Sequence, residues 1–231
     1  MKTERKTVVI TGISRGIGRA IAQRFQQAGY HLVGCARTAD SIRAFQEDFP
    51  LAEVQAVDLA DKAAVQAFGH WVVQQHKVEV LVNNAGSFVP GGMLSEADQV
   101  YEQLMRVNVD SVYYLSKILA AQMRGLGQGT IINLCSVASI KAYAAGGSYA
   151  ISKHALLGLS RAMREELKPD GVRVCSILPG ATLTDSWAGA ELPETRFIQP
   201  ESVAELVYLA ASLPPTAVVE ELVVRPQAGD I

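Results

Sequence analysis

Tyr149 and Lys153 stand four residues apart in Tyr149-Ala150-Ile151-Ser152-Lys153, a spacing that puts both side chains on one face of a helix. A free tyrosine titrates at about 10, so at neutral pH it relays protons poorly. A neighbouring ammonium favours the phenolate and lowers that value. The same pattern recurs at Tyr113 and Lys117, in an amphipathic segment with no strand end before it, where it reads as packing and surface. What distinguishes Tyr149 is Ser136, which closes the apolar run Ile131-Ile132-Asn133-Leu134-Cys135-Ser136 thirteen residues earlier. A serine hydroxyl there can meet the phenol across a carbonyl oxygen. A purely structural serine is the alternative.

A second chemical signal lies near the start of the chain. The β-branched run 7–11 leads into Thr11-Gly12-Ile13-Ser14-Arg15-Gly16-Ile17-Gly18, and a helical period follows. Glycines let a backbone turn tightly and approach a pyrophosphate, while a helix N-terminus offers amide donors and partial positive charge. The spacing is G-x-x-x-G-x-G and differs from the G-x-G-x-x-G fingerprint, so its position between strand and helix carries the inference of a nucleotide cradle. Gly125-Leu126-Gly127-Gln128-Gly129, which precedes a strand, reads as a plain loop. Dinucleotide folds place an acid at the end of the second strand for a ribose 2′-hydroxyl, or arginine for a 2′-phosphate. Here Cys35-Ala36-Arg37 has no acid. Arg37 with Arg15 suits a phosphate, which favours NADP(H) over NAD(H); two solvated surface arginines are the alternative.

These residues need elements to position them. Seven strand candidates, at 7–11, 30–36, 53–57, 78–82, 129–134, 172–178 and 220–224, are short, apolar and mostly without period-2 alternation, as parallel strands buried on both faces should be. Between them run helices. Ile17, Ala20, Ile21, Phe25 and Ala28 mark one that stops at Gly29, and Asp61 caps another carrying Val65, Phe68 and Val72. A single long helix is expected over 101–123, another over 149–168, and a last one from Pro200. Alternation of this kind means an α/β fold: a doubly wound, Rossmann-type, mainly parallel seven-stranded sheet with helices on both faces. Residues 1–231 read as one domain, with ligands expected beyond the carboxyl ends of the strands.

Composition excludes other classes. The 231 residues carry 21 Lys+Arg against 23 Asp+Glu, a net charge of −2 that offers no basic surface for nucleic acid. The longest uncharged runs, 80–95 and 125–140, are broken by Gly, Asn and Ser, so no membrane span is expected. The charged start, MKTERK, leads directly into a short strand-like run, so no signal peptide is expected. Cys35, Cys135 and Cys175 read as reduced core thiols of a cytoplasmic protein. His31, His70, His76 and His154 are scattered along the chain, and no metal site is expected from them.

Taken together, Thr11–Gly18, Asp58, Asn83-Asn84-Ala85-Gly86, Asn108, Ser136, Tyr149 with Lys153, and Pro179-Gly180-Ala181-Thr182-Leu183-Thr184 fall in an order and spacing that resembles the single-domain branch of the short-chain dehydrogenase/reductase family. The match covers almost the whole chain. The resemblance implies that Tyr149 is the general acid/base, that Ser136 polarises the carbonyl, and that Lys153 lowers the tyrosine pKa and holds the nicotinamide ribose. It implies that Asn108 positions a water in the proton relay. It places Gly12, Ser14, Arg15, Gly16, Ile17, Gly18 and Arg37 on the cofactor, Asp58 and Leu59 by the adenine, and Asn84 with Ala85 and Gly86 near a ribose. Pro179, Gly180, Thr182 and Thr184 would lie by the nicotinamide and pyrophosphate. The helices 101–123 and 149–168 would face neighbours in a homodimer or homotetramer. The tail Val224-Arg225-Pro226-Gln227-Ala228-Gly229-Asp230-Ile231 departs from the Asp-Gly-Gly-type ending common among relatives, which leaves its part of the pocket open.

The substrate side is expected between segments 87–95, 137–148 and a loop at 181–199. Phe88, Val89, Met93, Ile140, Tyr143, Trp187 and Phe197 are its candidate lining, with Ser136, Tyr143, Tyr149 and Trp187 as substrate contacts. Their apolar character suits a neutral small-molecule ketone or aldehyde. No evident carboxylate clamp stands there, since Arg196 is the one arginine and Lys141 a weaker second cation. The reading is an NADP(H)-dependent oxidoreductase acting on a carbonyl/alcohol pair. Its rivals are an NAD-dependent alcohol dehydrogenase of the same family, a catalytically silent nucleotide sensor, and a sugar-nucleotide epimerase, for which the chain is short.

Overall fold

Alternate residues of the apolar strands enter two different cores. Val8, Ile10, Val80, Val82, Ile132 and Ile177 pack on one face, while Val9, Leu81, Ile131 and Val174 pack on the other. This double burial is the reason the strands show no polar alternation. In the computed structural model, which describes residues 5–189 and 191–231, the strands are β1 (Thr7–Thr11), β2 (His31–Ala36), β3 (Glu53–Ala56), β4 (Val78–Asn83), β5 (Gly129–Leu134), β6 (Val172–Pro179) and β7 (Glu221–Val224). They form one seven-stranded sheet in the order β3-β2-β1-β4-β5-β6-β7, with every pairing parallel. All seven carboxyl ends therefore share one edge, and the order reverses between β1 and β4, where such sheets open a crevice.

Helices α1 (Gly16–Gln27), α2 (Ala39–Asp48) and α7 (Pro200–Ser212) cover the first face through Phe25, Phe45 and Val207. Helices α3 (Lys62–Gln75), α5 (Ser111–Leu126) and α6 (Gly147–Leu167) cover the second through Phe68, Leu119 and Leu167. Asp61 caps α3 as expected, its carboxylate accepting from the Ala63 amide. Helix α2 has no counterpart in the sequence reading. Its signal was the Thr38 cap on the Ser41 amide, followed by Ile42 and Phe45 at helical spacing.

The expected single helix over 101–123 is corrected. It consists of α4 (Asp98–Met105) and α5, joined by a π-helical turn at Arg106–Asp110. One extra residue per turn rotates Asn108 into the interior, where it is fully buried. A polar group held there needs partners, and it has three, described below.

A buried polar ladder crosses the sheet beneath its carboxyl edge. Asn83 of β4 and Asn133 of β5 are register partners, and so are Asn133 and Ser176 of β6. Asn83 Nδ2 donates to Asn133 Oδ1 at 2.8 Å and to Ser116 Oγ of α5 at 2.9 Å. Asn133 Nδ2 and Ser176 Oγ both donate to Ser160 Oγ of α6, at 2.9 and 2.7 Å. The ladder fixes α5 and α6 on the sheet. An Asn133→Ala variant leaves Asn83 and Ser160 short of partners in a dry interior, and should lose about 2–3 kcal/mol of stability in urea unfolding. A loss below about 0.5 kcal/mol would show that water replaces the amide.

Candidate active site

The turn after β1 is packed so closely that its last glycine admits no side chain. A Cβ on Gly18 would lie 2.1 Å from the Gly12 carbonyl oxygen and 2.6 Å from Asn84 Nδ2. Asn84 Nδ2 donates to the carbonyls of Thr11 and Gly12, and the Thr11 hydroxyl accepts from the amides of Asn84 and Ala85 at 3.0 Å. The β4 loop is thereby tied to the β1 turn. No side chain caps the start of α1 and no acid stands in its first turn, so its amide donors face an open cleft.

That cleft is about 980 Å³ and is bounded by Gly12, Ser14, Arg15, Gly16, Ile17 and Gly18, then by Arg37, Asp58 and Leu59, then by Asn84, Ala85, Gly86 and Thr184. Arg37 is exposed and makes no hydrogen bond or ion pair among the described residues. Arg15 Nη1 reaches across to Asp185 Oδ2 at 2.6 Å in an exposed pair, a contact weak enough to exchange for another anion. A turn with glycines at 12, 16 and 18, open helix amides and two rim arginines fit a dinucleotide phosphate in size, charge and donors.

A second cleft of about 390 Å³ opens from the first and shares Ile17, Asn84, Gly86, Ser87, Phe88, Thr184 and Ser186 with it. Ser136, Tyr149, Lys153, Pro179, Gly180 and Thr182 line it. The Ser136 hydroxyl and the Tyr149 phenol line this cleft together, and the phenol ring meets Phe88 edge-on at 4.9 Å. Burial pushes Tyr149 above its ordinary value of 10.0, and the neighbouring Ser136 hydroxyl offsets this only in part. Lys153, 5% exposed, donates to the Leu134 carbonyl at 2.8 Å, and its Nζ lies 5.9 Å from the Tyr149 ring centroid. Burial lowers the lysine's own pKa. From the protein's own groups, then, the phenol is held protonated: burial outweighs the lowering expected from the ammonium. A protonated phenol beside a hydroxyl can donate two hydrogen bonds to one oxygen in the cleft.

Asn108 does not line either cleft. Its Oδ1 accepts from the Ser87 amide at 2.7 Å, and its Nδ2 donates to the Ser87 carbonyl at 3.0 Å and to Ser152 Oγ at 2.9 Å. It joins the loop after β4 to α6 one residue from Lys153. The sequence reading missed Glu96, whose carboxylate accepts from the Ser148 amide at 3.1 Å and from the Ser148 hydroxyl, holding the first turn of α6. Gly147 fits there with φ +33, since a Cβ would stand 2.5 Å from the Gly91 carbonyl oxygen.

Of the expected apolar lining, Phe88, Tyr143 and Trp187 are in place. Val89, Met93, Ile140 and Phe197 are not. Phe197 is buried behind Trp187 at 5.3 Å, and Met93 and Ile140 are exposed. Residue 190 of the 181–199 loop lies outside the described residues. The tail supplies what the sequence reading lacked. Arg225, Asp230 and Ile231 line the cleft with Lys141, and Arg225 pairs with Asp230. Arg196, the arginine singled out from sequence, instead donates to the Ala228 carbonyl at 3.0 Å and so holds the tail. The Tyr113–Lys117 pair is exposed surface, with Lys117 5.8 Å from the ring.

The family model described as short chain dehydrogenase matches residues 6–194. The chain belongs to the short-chain dehydrogenase/reductase family. It is 31% identical to the sepiapterin reductase of Chlorobaculum tepidum over 97% of either chain. A metagenomic short-chain oxidoreductase solved in complex with NADP shares 32% identity, with TM-score 0.84 over 96% of this chain and 97% of that one. The alcohol dehydrogenase of the archaeon Thermococcus sibiricus, complexed with 5-hydroxy-NADP, shares 28% identity, with TM-score 0.90 over 97% of each. Members of the family are oxidoreductases acting on small molecules with a nicotinamide cofactor, and the doubly wound fold is the family's. Among the described residues no helix is long and apolar enough to cross a membrane.

Because the folded pKa of Tyr149 is raised, its contribution to stability is complete below about pH 10 and is lost as pH rises through the folded value. Between about pH 9 and 11 the wild-type protein should therefore lose more stability than Tyr149→Phe in parallel urea titrations. Equal losses would mean the phenol titrates normally.

Proposed function

We propose that this protein is an NADP(H)-dependent oxidoreductase that interconverts a carbonyl compound and its alcohol, with reduction of a ketone or aldehyde as its direction when NADPH is the cellular donor. The observation that carries the reading is the convergence of Ser136, Tyr149 and Lys153 in the smaller cleft, which opens into the cleft of the glycine turn.

When bound, the nicotinamide dinucleotide supplies the hydride chemistry. The turn of Gly12, Ser14, Gly16, Ile17 and Gly18 would hold its pyrophosphate, with Arg37 and Arg15 at a 2′-phosphate. Asp58 and Leu59 would flank the adenine, and Asn84, Ala85 and Gly86 a ribose. Pro179, Gly180, Thr182, Thr184 and Lys153 would border the nicotinamide end. The NADP-complexed relatives support the cofactor class, and Ala36 with Arg37 supports the phosphorylated form.

Ser136 and Tyr149 donate to the substrate oxygen and stabilise charge as it develops there. Tyr149, kept protonated by burial, gives its proton to that oxygen. Lys153 then steadies the phenolate by its charge. Asn108, through Ser152 and Ser87, keeps α6 and the loop after β4 in register for this step. Phe88, Tyr143 and Trp187 would pack the substrate's apolar part, and the 181–199 loop would close over it. The exposed Tyr101, Tyr113 and Ile151 on α4, α5 and α6 support a homodimer or homotetramer through those helices.

Fluorescence titration with NADPH and NADH tests the cofactor. NADPH should bind at least tenfold tighter, about 1.4 kcal/mol, and Arg37→Ala should remove most of that preference while leaving NADH affinity within about twofold. Tighter binding of NADH would overturn the phosphate clamp. For the proton step, Tyr149→Phe should lose about 10²–10⁴-fold in turnover of a reducible ketone with NADPH binding retained. Unchanged turnover would sink the mechanism.

A further inference from the structure

At the opposite edge of the sheet, β2 begins with His31, β3 begins with Glu53, and His76 follows the last residue of α3. The two histidines, scattered in sequence, both come to lie against Glu53. His31 Nε2 lies 2.8 Å from Glu53 Oε1, His76 Nε2 lies 3.5 Å from Glu53 Oε2, and one ligand atom from each residue lies within 4.8 Å of the others. The imidazole rings stand 5.3 Å apart. We propose that His31, Glu53 and His76 form a binding site for a single divalent transition metal ion of zinc character.

The partners of His76 argue for a metal and against a plain hydrogen-bonded triad. Its side chain is 12% exposed, and its buried Nε2 makes no hydrogen bond, Glu53 Oε2 approaching it only to 3.5 Å. An unpaired buried nitrogen is costly unless something else occupies it. The ring is also held in place before any ion arrives. Trp71 meets it edge-on at 5.6 Å, the His76 amide donates to the Val72 carbonyl, and Gln122 Nε2 donates to the His76 carbonyl at 2.8 Å.

Two imidazoles and one carboxylate are a zinc ligand set, and zinc–ligand bonds of about 2.0–2.2 Å place tetrahedral donors about 3.3 Å apart. The observed 2.8 and 3.5 Å bracket that spacing. The half-exposed Glu53 leaves a solvent-facing position for a water ligand. The ion would tie β2, β3 and the end of α3 at a point roughly 16 Å from the cofactor cleft, the length of β2 at about 3.3 Å per residue. It acts as a clamp on the fold, apart from the chemistry.

The test uses tag-free full-length protein stripped with a chelator, then titrated with ZnCl₂ by calorimetry and thermal unfolding. One equivalent per chain should bind, and Tm should rise by about 5–10 °C at a hundredfold excess over Kd. Co²⁺ should give ligand-field bands in the wild-type protein that are absent in His31→Gln and His76→Gln. Those variants should melt within a few degrees of wild type without metal. Should they fail to fold, ¹⁵N correlation spectra of the wild-type imidazoles decide the matter: Zn²⁺ should shift two of the four histidines, His31 and His76. Substoichiometric uptake, uptake surviving in a folded double variant, or shifts at His70 or His154 instead would overturn the site.

Discussion

The rotation of α6 about its own axis is the constraint on which the site depends. That helix carries Tyr149 and Lys153, and a misplacement of about 1 Å in such groups can cost about two orders of magnitude in rate. Nonpolar packing alone fixes rotation loosely, since a leucine can seat in neighbouring grooves with little penalty. Here Ser148, Ser152 and Ser160 stand on one face at helical intervals, all buried, and each hydroxyl is held by a different element. Glu96 takes the first, Asn108 the second, and Asn133 with Ser176 the third. Lys153 adds a fourth tie to the Leu134 carbonyl. Hydrogen bonds are directional, so four of them on one helix admit a single setting.

These ties reach back into the sheet. Asn133 is one rung of the ladder that spans β4, β5 and β6, and Asn108 points inward only because the π turn rotates it. The loop after β4 is pinned twice, by Asn108 at Ser87 and by Asn84 at the glycine turn. The glycine-turn cleft and the first turns of α6 are therefore positioned from the same short stretch of backbone. The layers on either side supply the stability that lets so many polar groups be buried, and nearly all of those groups are paired.

Much of this was legible in the sequence. The five inner strands were, because strands buried on two faces leave apolar runs, while the half-exposed edge strands β3 and β7 were marked only by short runs holding Val54 and Leu222–Val224. The glycine turn and the Ser136, Tyr149 and Lys153 trio were legible too, because strand ends and helical spacing place them. Other features left local signals too faint or none. Helix α2 is short and offers only Ile42 and Phe45 within it. The π turn adds one residue without disturbing the apolar recurrence from Leu104 to Met123. Phe197 and Trp187 are equally apolar on paper, and only the fold of their loop decides which faces the cleft. Glu96, Arg225, Asp230 and the His31–His76 approach depend on contacts between segments far apart in the chain. No window of sequence contains them.

The cleft's far wall has a different origin from its floor. The family model ends at residue 194, yet Arg225, Asp230 and Ile231 border the cleft, held by Arg196 through the Ala228 carbonyl and by the Gly180 amide on the Val224 carbonyl. The residues proposed to handle the proton and the tail that closes the cleft thus lie in separate stretches of polypeptide. Divergence among sister genes can rewrite the closing residues freely while the buried ties of α6 stay under packing constraint. For directed evolution, the economical library would lie in positions 225–231, which border the cleft beyond Glu220 and Glu221, the two residues paired with Arg164 and Arg161 of α6.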